Sequence, residues 1–340
     1  MKNTIYPWQT KQWENITKQY SDEALPHAFL FTGLKGIGKL HFAQCLVGFL
    51  LCERKKESQA CGECKQCKLV KAQTHTDLRL VKPEEGSAVI KVDTIRSLVE
   101  FFTLSSMQGG LKVAVLCPAE ALNHNAANAL LKTLEEPAGQ SIIILISHAS
   151  GKLLPTIRSR CQVVDFDTPK QQQAHQWLAD TLVQEGAVLP ADDDITALLS
   201  LSSNAPLRAK EYFEINALNE NNRMLDEMGS MLKNDCIVTT ISTRWDDDIF
   251  SLRLAWTIRW LELILKLKMT GDMKIVQGQH GEKMLQYLAD KCSEFQLLAL
   301  YRESLKQYRL FLGNTNPNKI LGFEYLLHQW VKLMSSKGVQ

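Results

Sequence analysis

Phe29-Leu30-Phe31-Thr32-Gly33-Leu34-Lys35-Gly36-Ile37-Gly38-Lys39-Leu40 decides how this chain folds. An apolar run ends in a glycine-rich loop, and an apolar helical pattern resumes at Lys39. The phosphate-cradling template G-x-x-x-x-G-K-[ST] fits at seven of its eight positions, with Leu40 at the eighth. In a working loop of this kind the glycines let backbone N–H groups close around phosphates. The lysine reaches the terminal ones, and the following helix adds its positive dipole end. The last hydroxyl holds Mg²⁺, and Leu40 has no oxygen to offer. The loop can therefore be built while its metal has lost one ligand.

Working outward, residues 3–20 predict a helix that turns Trp8, Trp13 and Ile16 toward a core. His27–Thr32 reads as a buried strand and Lys39–Cys52 as the helix after the loop. A polar, cysteine-bearing insert follows at Glu53–Thr76. Short β-like runs at Leu78–Val81 and Val89–Val92 precede a helix from Asp93 to Leu104. Gly109-Gly110 punctuates the chain before an apolar strand at Leu111–Cys117. Asn123–Glu136 is a helix that Pro137 stops. Ser141–Ser147 and Cys161–Phe166 read as two more strands. Strands alternating with helices predict a parallel α/β sheet. After Asp167-Thr168-Pro169 the pattern is helical, with short helices at Lys170–Glu185, Ala191–Leu201 and Pro206–Phe213 and a turn at Ser202–Asn204. Longer segments follow, among them Phe250–Lys268, Lys283–Lys306 and Ile320–Met334.

At 340 residues the chain predicts two or three domains, and its 45% hydrophobic and 22% charged content is that of a globular protein. A net charge of +2 argues against a strongly basic nucleic-acid binder. The N-terminus lacks a signal-peptide pattern and no window is apolar enough to span a membrane, so a cytoplasmic location is expected. Of nine cysteines, Cys52, Cys61, Cys64 and Cys67 crowd into sixteen residues. In a reducing compartment that spacing points to metal rather than disulfides, and four thiolates suit the closed tetrahedron of structural Zn²⁺. No H-x-E precedes them, which argues against a deaminase.

Asn128-Ala129-Leu130-Leu131-Lys132-Thr133-Leu134-Glu135-Glu136-Pro137, with Thr156-Ile157-Arg158-Ser159-Arg160-Cys161 downstream, resembles the clamp-loader branch of the AAA+ fold. The four-cysteine insert and the start Tyr6-Pro7-Trp8 narrow the resemblance to the delta-prime family of bacterial DNA polymerase III clamp-loader subunits. The likeness is dense over the first domain and loose over the small helical one. Over the last third it rests on helical character and a late Asn316-Pro317-Asn318.

The resemblance implies an AAA+ α/β domain with a zinc module at residues 1–167, a three-helix lid at 168–213 and an all-α collar at 214–340. It implies that Arg160 acts in trans as an arginine finger on a neighbouring subunit's nucleotide, with Arg158 as a weaker competitor. It places the family's Mg²⁺-binding acidic pair on Cys117 and Pro118, neither of which can ligate as a carboxylate, and Glu120 two residues on is a poor substitute. No intrinsic ATPase activity is then expected. For Gly33, Gly38 and Lys39 two readings stand: weak nucleotide binding without turnover, or a relic loop kept for its shape, which is favoured. Arg208 falls where lids carry a sensing arginine, and Ser147 where motors carry a polar sensor. Implied partners are the gamma/tau and delta subunits, with the sliding clamp and primed DNA reached through the complex.

The basic set Arg54, Lys55, Lys56, Lys65, Lys68 and Lys71 reads as a solvated face around the cysteines, with DNA phosphates as the weaker alternative. His75 reads as a packing residue, and Trp245, Trp256, Trp260 and Trp330 as core or interface aromatics. A catalytically active AAA+ motor is the competing reading, and a zinc-bearing DNA-binding module a third.

Overall fold

A computed structural model describes residues 4–106, 110–233, 237–245, 248–276, 280–312 and 318–335. Gly109, Asn316 and Pro317 lie outside the described residues. In chain order the elements are α1 (Thr10–Ser21), β1 (Ala28–Thr32), α2 (Lys39–Leu51), α3 (Lys65–Lys71), β2 (Leu78–Val81), α4 (Val92–Thr103), β3 (Lys112–Leu116), α5 (His124–Glu135), β4 (Ser141–Ile146), α6 (Pro155–Arg158) and β5 (Gln162–Asp165). Helices alone follow: α7 (Gln171–Gln184), α8 (Asp192–Leu201), α9 (Pro206–Glu214), α10 (Ala217–Leu232), α11 (Val238–Arg244), α12 (Phe250–Thr270), α13 (Glu282–Lys291), α14 (Glu294–Leu312) and α15 (Lys319–Ser335). None of the described helices is long and apolar enough to cross a membrane.

The expected parallel sheet is present, with strand order β2-β3-β4-β1-β5 and every pairing parallel. Its central strands are apolar at nearly every position because each face is covered. Phe29, Phe31, Val113, Val115, Ile142 and Ile144 pack toward α1 and α2. The alternate residues Ala28, Leu30, Ala114, Leu116, Ile143 and Leu145 pack toward α4 and α5. That two-residue alternation between two cores is the signature of a buried parallel sheet. Phe42 on α2 meets Phe31, Phe166 and Trp13 in edge-to-face contacts with centroids 5.5, 4.9 and 5.4 Å apart. Each such fully buried ring stabilises the fold by about 1.5–3 kcal/mol. The parallel register brings the turns after β1, β3 and β4 to one carboxyl edge of the sheet, where ligands of α/β folds are usually met.

Several element expectations need correction. The first helix begins later than residue 3, because Pro7 starts a short 3-10 turn, Pro7–Gln9, ahead of α1. Val89–Val92 is not a strand: Ile90 makes a single bridge to Leu122, and α4 already starts at Val92. Lys283–Lys306 is not one helix but is divided between α13 and α14. There Cys292 leaves helical geometry and Ser293 bonds back to Gln296.

The chain divides into two compact units, residues 1–178 with 204–208, and residues 179–203 with 209–340. The second is helical, and Trp245, Trp256, Trp260 and Trp330 are all buried in its interior. Trp260 Nε1 donates to Asn221 at 3.1 Å and Trp245 Nε1 to Glu227 at 2.6 Å, so those two polar edges are satisfied, whereas the buried Trp256 and Trp330 Nε1 groups have no hydrogen-bond partner among the described residues.

Candidate functional site

Three sites in the first unit bear on function. The first is the cysteine cluster. Cys52 stands at the C-terminal end of α2, Cys61 on the loop beyond it, and Cys64 caps α3, which carries Cys67. All four Sγ atoms lie within 4.8 Å of one another. Cys52–Cys64 and Cys61–Cys67 are 4.0 and 3.9 Å apart. A tetrahedron of thiolates about 2.3 Å from Zn²⁺ has sulfur–sulfur edges of about 3.8 Å, and a disulfide would need about 2.05 Å. Backbone N–H groups of Cys61, Cys64 and Cys67 point at Cys52, Cys61 and Cys64 sulfurs at 3.3, 3.4 and 3.4 Å.

These amides ready the loop for anionic sulfur. Hydrogen bonds from the Glu63 and Cys64 backbone pull the Cys61 thiol down to about 6. Burial opposes ionisation of Cys64, yet backbone bonds from Cys67 and Glu53 carry it below its ordinary value. Burial and the neighbouring sulfurs push Cys67 the other way. Sulfurs this close cannot all ionise without a cation, so the donor set fits a closed, structural Zn²⁺ site.

The second site is the glycine loop. The backbone takes the positive φ values the template needs, 87° at Gly36 and 89° at Gly38, and Gly38 caps α2. The space around it is filled by protein. A Cβ on Gly38 would sit 2.4 Å from the Tyr6 ring, and one on Gly36 would sit 2.6 Å from Arg208 Cβ. Tyr6 stacks on Trp8 with centroids 5.0 Å apart, and both meet Trp177 edge-on. Trp8 Nε1 and Gln9 Nε2 both donate to the Ile37 carbonyl, at 2.9 and 3.0 Å, and the Leu207 N–H donates to Gly36 at 3.0 Å.

Lys39 is 2% exposed and folds back onto its own loop, donating to the Gly33 and Leu34 carbonyls at 2.6 and 2.7 Å. Burial drives its pKa down to about 8, against the opposing pull of Cys117 and Glu120. Leu40 lies on the first turn of α2, 37% exposed. Cys117 and Pro118 follow β3 as expected. Glu120 is held by the His148 N–H at 2.9 Å, and the buried Ser147 hydroxyl accepts from the Ala149 N–H. Leu40, Cys117 and Pro118 follow β1 and β3 at the carboxyl edge of the sheet and bring no carboxylate or hydroxyl to it.

The third site is Arg160. It follows α6, and its Nε donates to Glu135 Oε1 at 2.6 Å while a terminal nitrogen reaches the same oxygen. Another donates to the Thr156 carbonyl at 2.9 Å. The two side chains are 32% and 47% exposed. Arg158 is exposed at the end of α6, and Cys161 is only partly buried, packed against the core. His75 is buried, accepting the Asp77 N–H at Nδ1, and has no cysteine-cluster role.

Two functional contacts were not read from the sequence. Glu135 lies within the helix motif, but nothing in its spacing announces Arg160 as its partner. The helical spacing of residues 3–20 predicts Trp8 in a core. Trp8 is half-buried on the glycine loop instead, because Pro7 starts the turn that aims it there.

A family model described as DNA polymerase III, delta subunit, matches residues 8–170. The chain is 36% identical to the DNA polymerase III subunit delta' of Pseudomonas aeruginosa over 329 residues, 97% of this chain and 98% of that one. It is 34% identical to the subunit of the same name from Escherichia coli over 209 residues, 62% of this chain and 61% of that one. Among solved structures, a DNA polymerase III gamma subunit-related protein from Thermotoga maritima aligns over 95% of this chain and 99% of its own. There the TM-score is 0.47 and the identity 15%.

Proposed function

Because the chain belongs to the DNA polymerase III subunit delta' family of AAA+ clamp-loader proteins, we propose that it is the assembly's non-hydrolysing stator. In that role it presents Arg160 to the nucleotide of an adjacent gamma/tau ATPase subunit. It works beside the delta subunit while the complex places the sliding clamp on primed DNA in replication. The proposed division is an AAA+ domain at 1–167, a lid at 168–213 and a collar at 214–340, with structural Zn²⁺ on Cys52, Cys61, Cys64 and Cys67. When bound, the ion would tie the insert to the end of α2, since metal–ligand bonds substitute for a core too small to stand alone.

The observation that carries this reading is Lys39, buried and already bonded to the loop's own carbonyls. Phosphoryl transfer depends on metal and on positioned charge. Leu40, Cys117 and Pro118 remove the metal ligands, and Tyr6, Trp8 and Gln9 occupy the mouth of the loop. Nucleotide binding at Gly33, Gly38 and Lys39 is therefore expected to be absent, and Arg208 serves by packing its backbone on Gly36.

Arg160 differs from Lys39 in being held where it can be released. A half-exposed arginine–carboxylate pair contributes about 0.2–1 kcal/mol, so transfer from Glu135 to a neighbour's γ-phosphate costs little. A guanidinium stays charged throughout and offers a planar fork of donors.

The test has two arms. The purified chain alone should neither bind nor hydrolyse ATP with Mg²⁺. In an assembly reconstituted with gamma/tau and delta subunits, Arg160→Ala should cut ATP turnover at the neighbouring site by about 10³-fold or more, with assembly itself unchanged. Mg²⁺-dependent turnover by the lone chain, abolished by Lys39→Ala, would replace the stator with a motor. Full activity of the Arg160→Ala assembly would refute the finger.

A further inference from the structure

The face of the sheet toward α2 is not fully covered at its β2 edge. A groove of about 370 Å³ lies there, walled by α2 and α3 and floored by Leu78, Leu80 and Val115. The topology explains the gap. The connection between β2 and β3 is α4, which covers the opposite face, so on this side only the flank of α2 and the cysteine module shield the last two strands. Leu80 is consequently 39% exposed on an edge strand.

The rim is positively charged. Lys71 on α3 and Lys82 just past β2 both line the groove, both are exposed, and neither makes an ion pair or hydrogen bond with a described residue. None of the groove's lining residues is acidic. Arg79 also lines the groove, but its guanidinium lies 4.5 Å from the Phe101 ring, so the proposal does not use its charge. Lysines beside an edge strand deter strand-to-strand aggregation, but that role does not call for a cavity beneath them. The volume lies in the range of ligand-binding sites, about 300–1,000 Å³.

We propose that this groove receives an extended acidic segment of a partner protein, an apolar side chain seated on Leu78 and Leu80 with flanking carboxylates on Lys71 and Lys82. The proposal goes beyond the stator reading and does not depend on Arg160 or the glycine loop. Charge complementarity selects the acidic partner, and the apolar floor favours a peptide over a nucleic-acid backbone, whose phosphates have no use for leucine. Edge strands are natural hosts for extended peptides, with alternate side chains read by neighbouring pockets. The proposal also gives the cysteine module a task, since α3 forms one wall.

Fluorescence anisotropy with the full chain tests it. The probe is a labelled peptide pool alternating leucine, isoleucine or phenylalanine with aspartate and glutamate. A pool with lysine in place of the carboxylates is the control. The acidic pool should bind at least tenfold more tightly than the basic one. The double change Lys71→Glu with Lys82→Glu should weaken the acidic pool by about tenfold, as two partly screened charge pairs are reversed. Leu80→Asp should also abolish binding, as should Gly48→Leu, which fills the groove without touching charge. A Cβ at Gly48 meets nothing nearer than Ala60 at 3.8 Å, so the helix has room for the first carbon of a side chain there, and a thermal melt of the variant checks that it is folded before binding is read. Equal binding of both pools, or acidic binding unmoved by all three variants, would overturn the proposal. So would a labelled DNA oligonucleotide that outcompetes the acidic pool at the groove, or self-association that Leu80→Asp abolishes.

Discussion

Replacing Lys39 with methionine separates a retired phosphate ligand from a working one. Folding moves this lysine from its ordinary 10.5 down to about 8. At about 1.36 kcal/mol per pH unit, its charge burdens the folded state by about 3 kcal/mol at neutral pH. The unfolded chain keeps the proton up to 10.5, whereas the folded chain releases it near 8. Between those values the unfolded state binds more protons, so stability from this group rises with pH across that window. Below 8 both states hold the proton and the burden is complete.

Lys39→Met removes the titration and leaves the Gly33 and Leu34 carbonyls without a donor, at about 1–3 kcal/mol each. That loss is the same at every pH. The stability difference, wild type minus variant, should therefore rise by about 3 kcal/mol between pH 7 and pH 10.5. Guanidinium unfolding curves of both proteins across that range measure it; titrations of groups that do not sense Lys39 cancel in the difference, and a Cys117→Ser background removes the one thiol that does. A flat difference would refute the reasoning: Lys39 would then be as solvated in the fold as out of it, which is the state of a lysine that still awaits a phosphate.

Other expectations follow from the same geometry. Wild-type protein should contain one Zn²⁺ per chain by elemental analysis, and Cys61→Ser should lose most of it while melting several degrees lower. Gly38→Ala forces a side chain into a φ of 89° and against the Tyr6 ring. It should cost about 2–3 kcal/mol in denaturant unfolding, most of it strain and overpacking, and shift the fluorescence of Trp8 and Trp177. Glu135→Gln should change stability by no more than about 1 kcal/mol, because the pair it breaks is exposed; a larger loss would mark Arg160 as a structural cation. Burial, reinforced by the nearby Lys39 charge, holds His148 down to about 4. Its contribution to stability should be lost as pH falls from 6.5 to 4, and His148→Gln should flatten the unfolding free energy over that interval.

Much of this molecule was legible because its central strands are simple to read. Ala28–Thr32 and Ser141–Ile146 are apolar at almost every residue, and only a strand buried on both faces produces that pattern next to a glycine loop. The cysteine cluster was legible for a related reason: four like ligands within sixteen residues leave few geometries open. What stayed hidden depends on contacts distant in sequence. The break at Cys292-Ser293 carries no glycine or proline, and the apolar spacing of Lys283–Lys306 continues straight through it. Val89–Val92 is rich in β-branched residues like a strand, yet Ile90 finds only one bridging partner. The Arg160–Glu135 pair spans 25 residues, and the N-terminal cover of the glycine loop spans 28 and 29. Periodicity within a segment cannot register such distances.

The Ile37 carbonyl, shared by Trp8 and Gln9, has a consequence for how this domain opens. A loop that cradles phosphate in solution must breathe, and its amides normally exchange with water faster than those of the sheet. Here the loop cannot open without also breaking its bonds to the Pro7–Gln9 turn, so the two become one cooperative unit. Amide hydrogen exchange at Gly36–Lys39 should run at the rate of the first turns of α1 rather than at that of an open loop. Shortening the N-terminus past Gln9 should accelerate it, although the loop itself would be intact. The Pro7–Gln9 turn thus acts as a latch on the glycine loop.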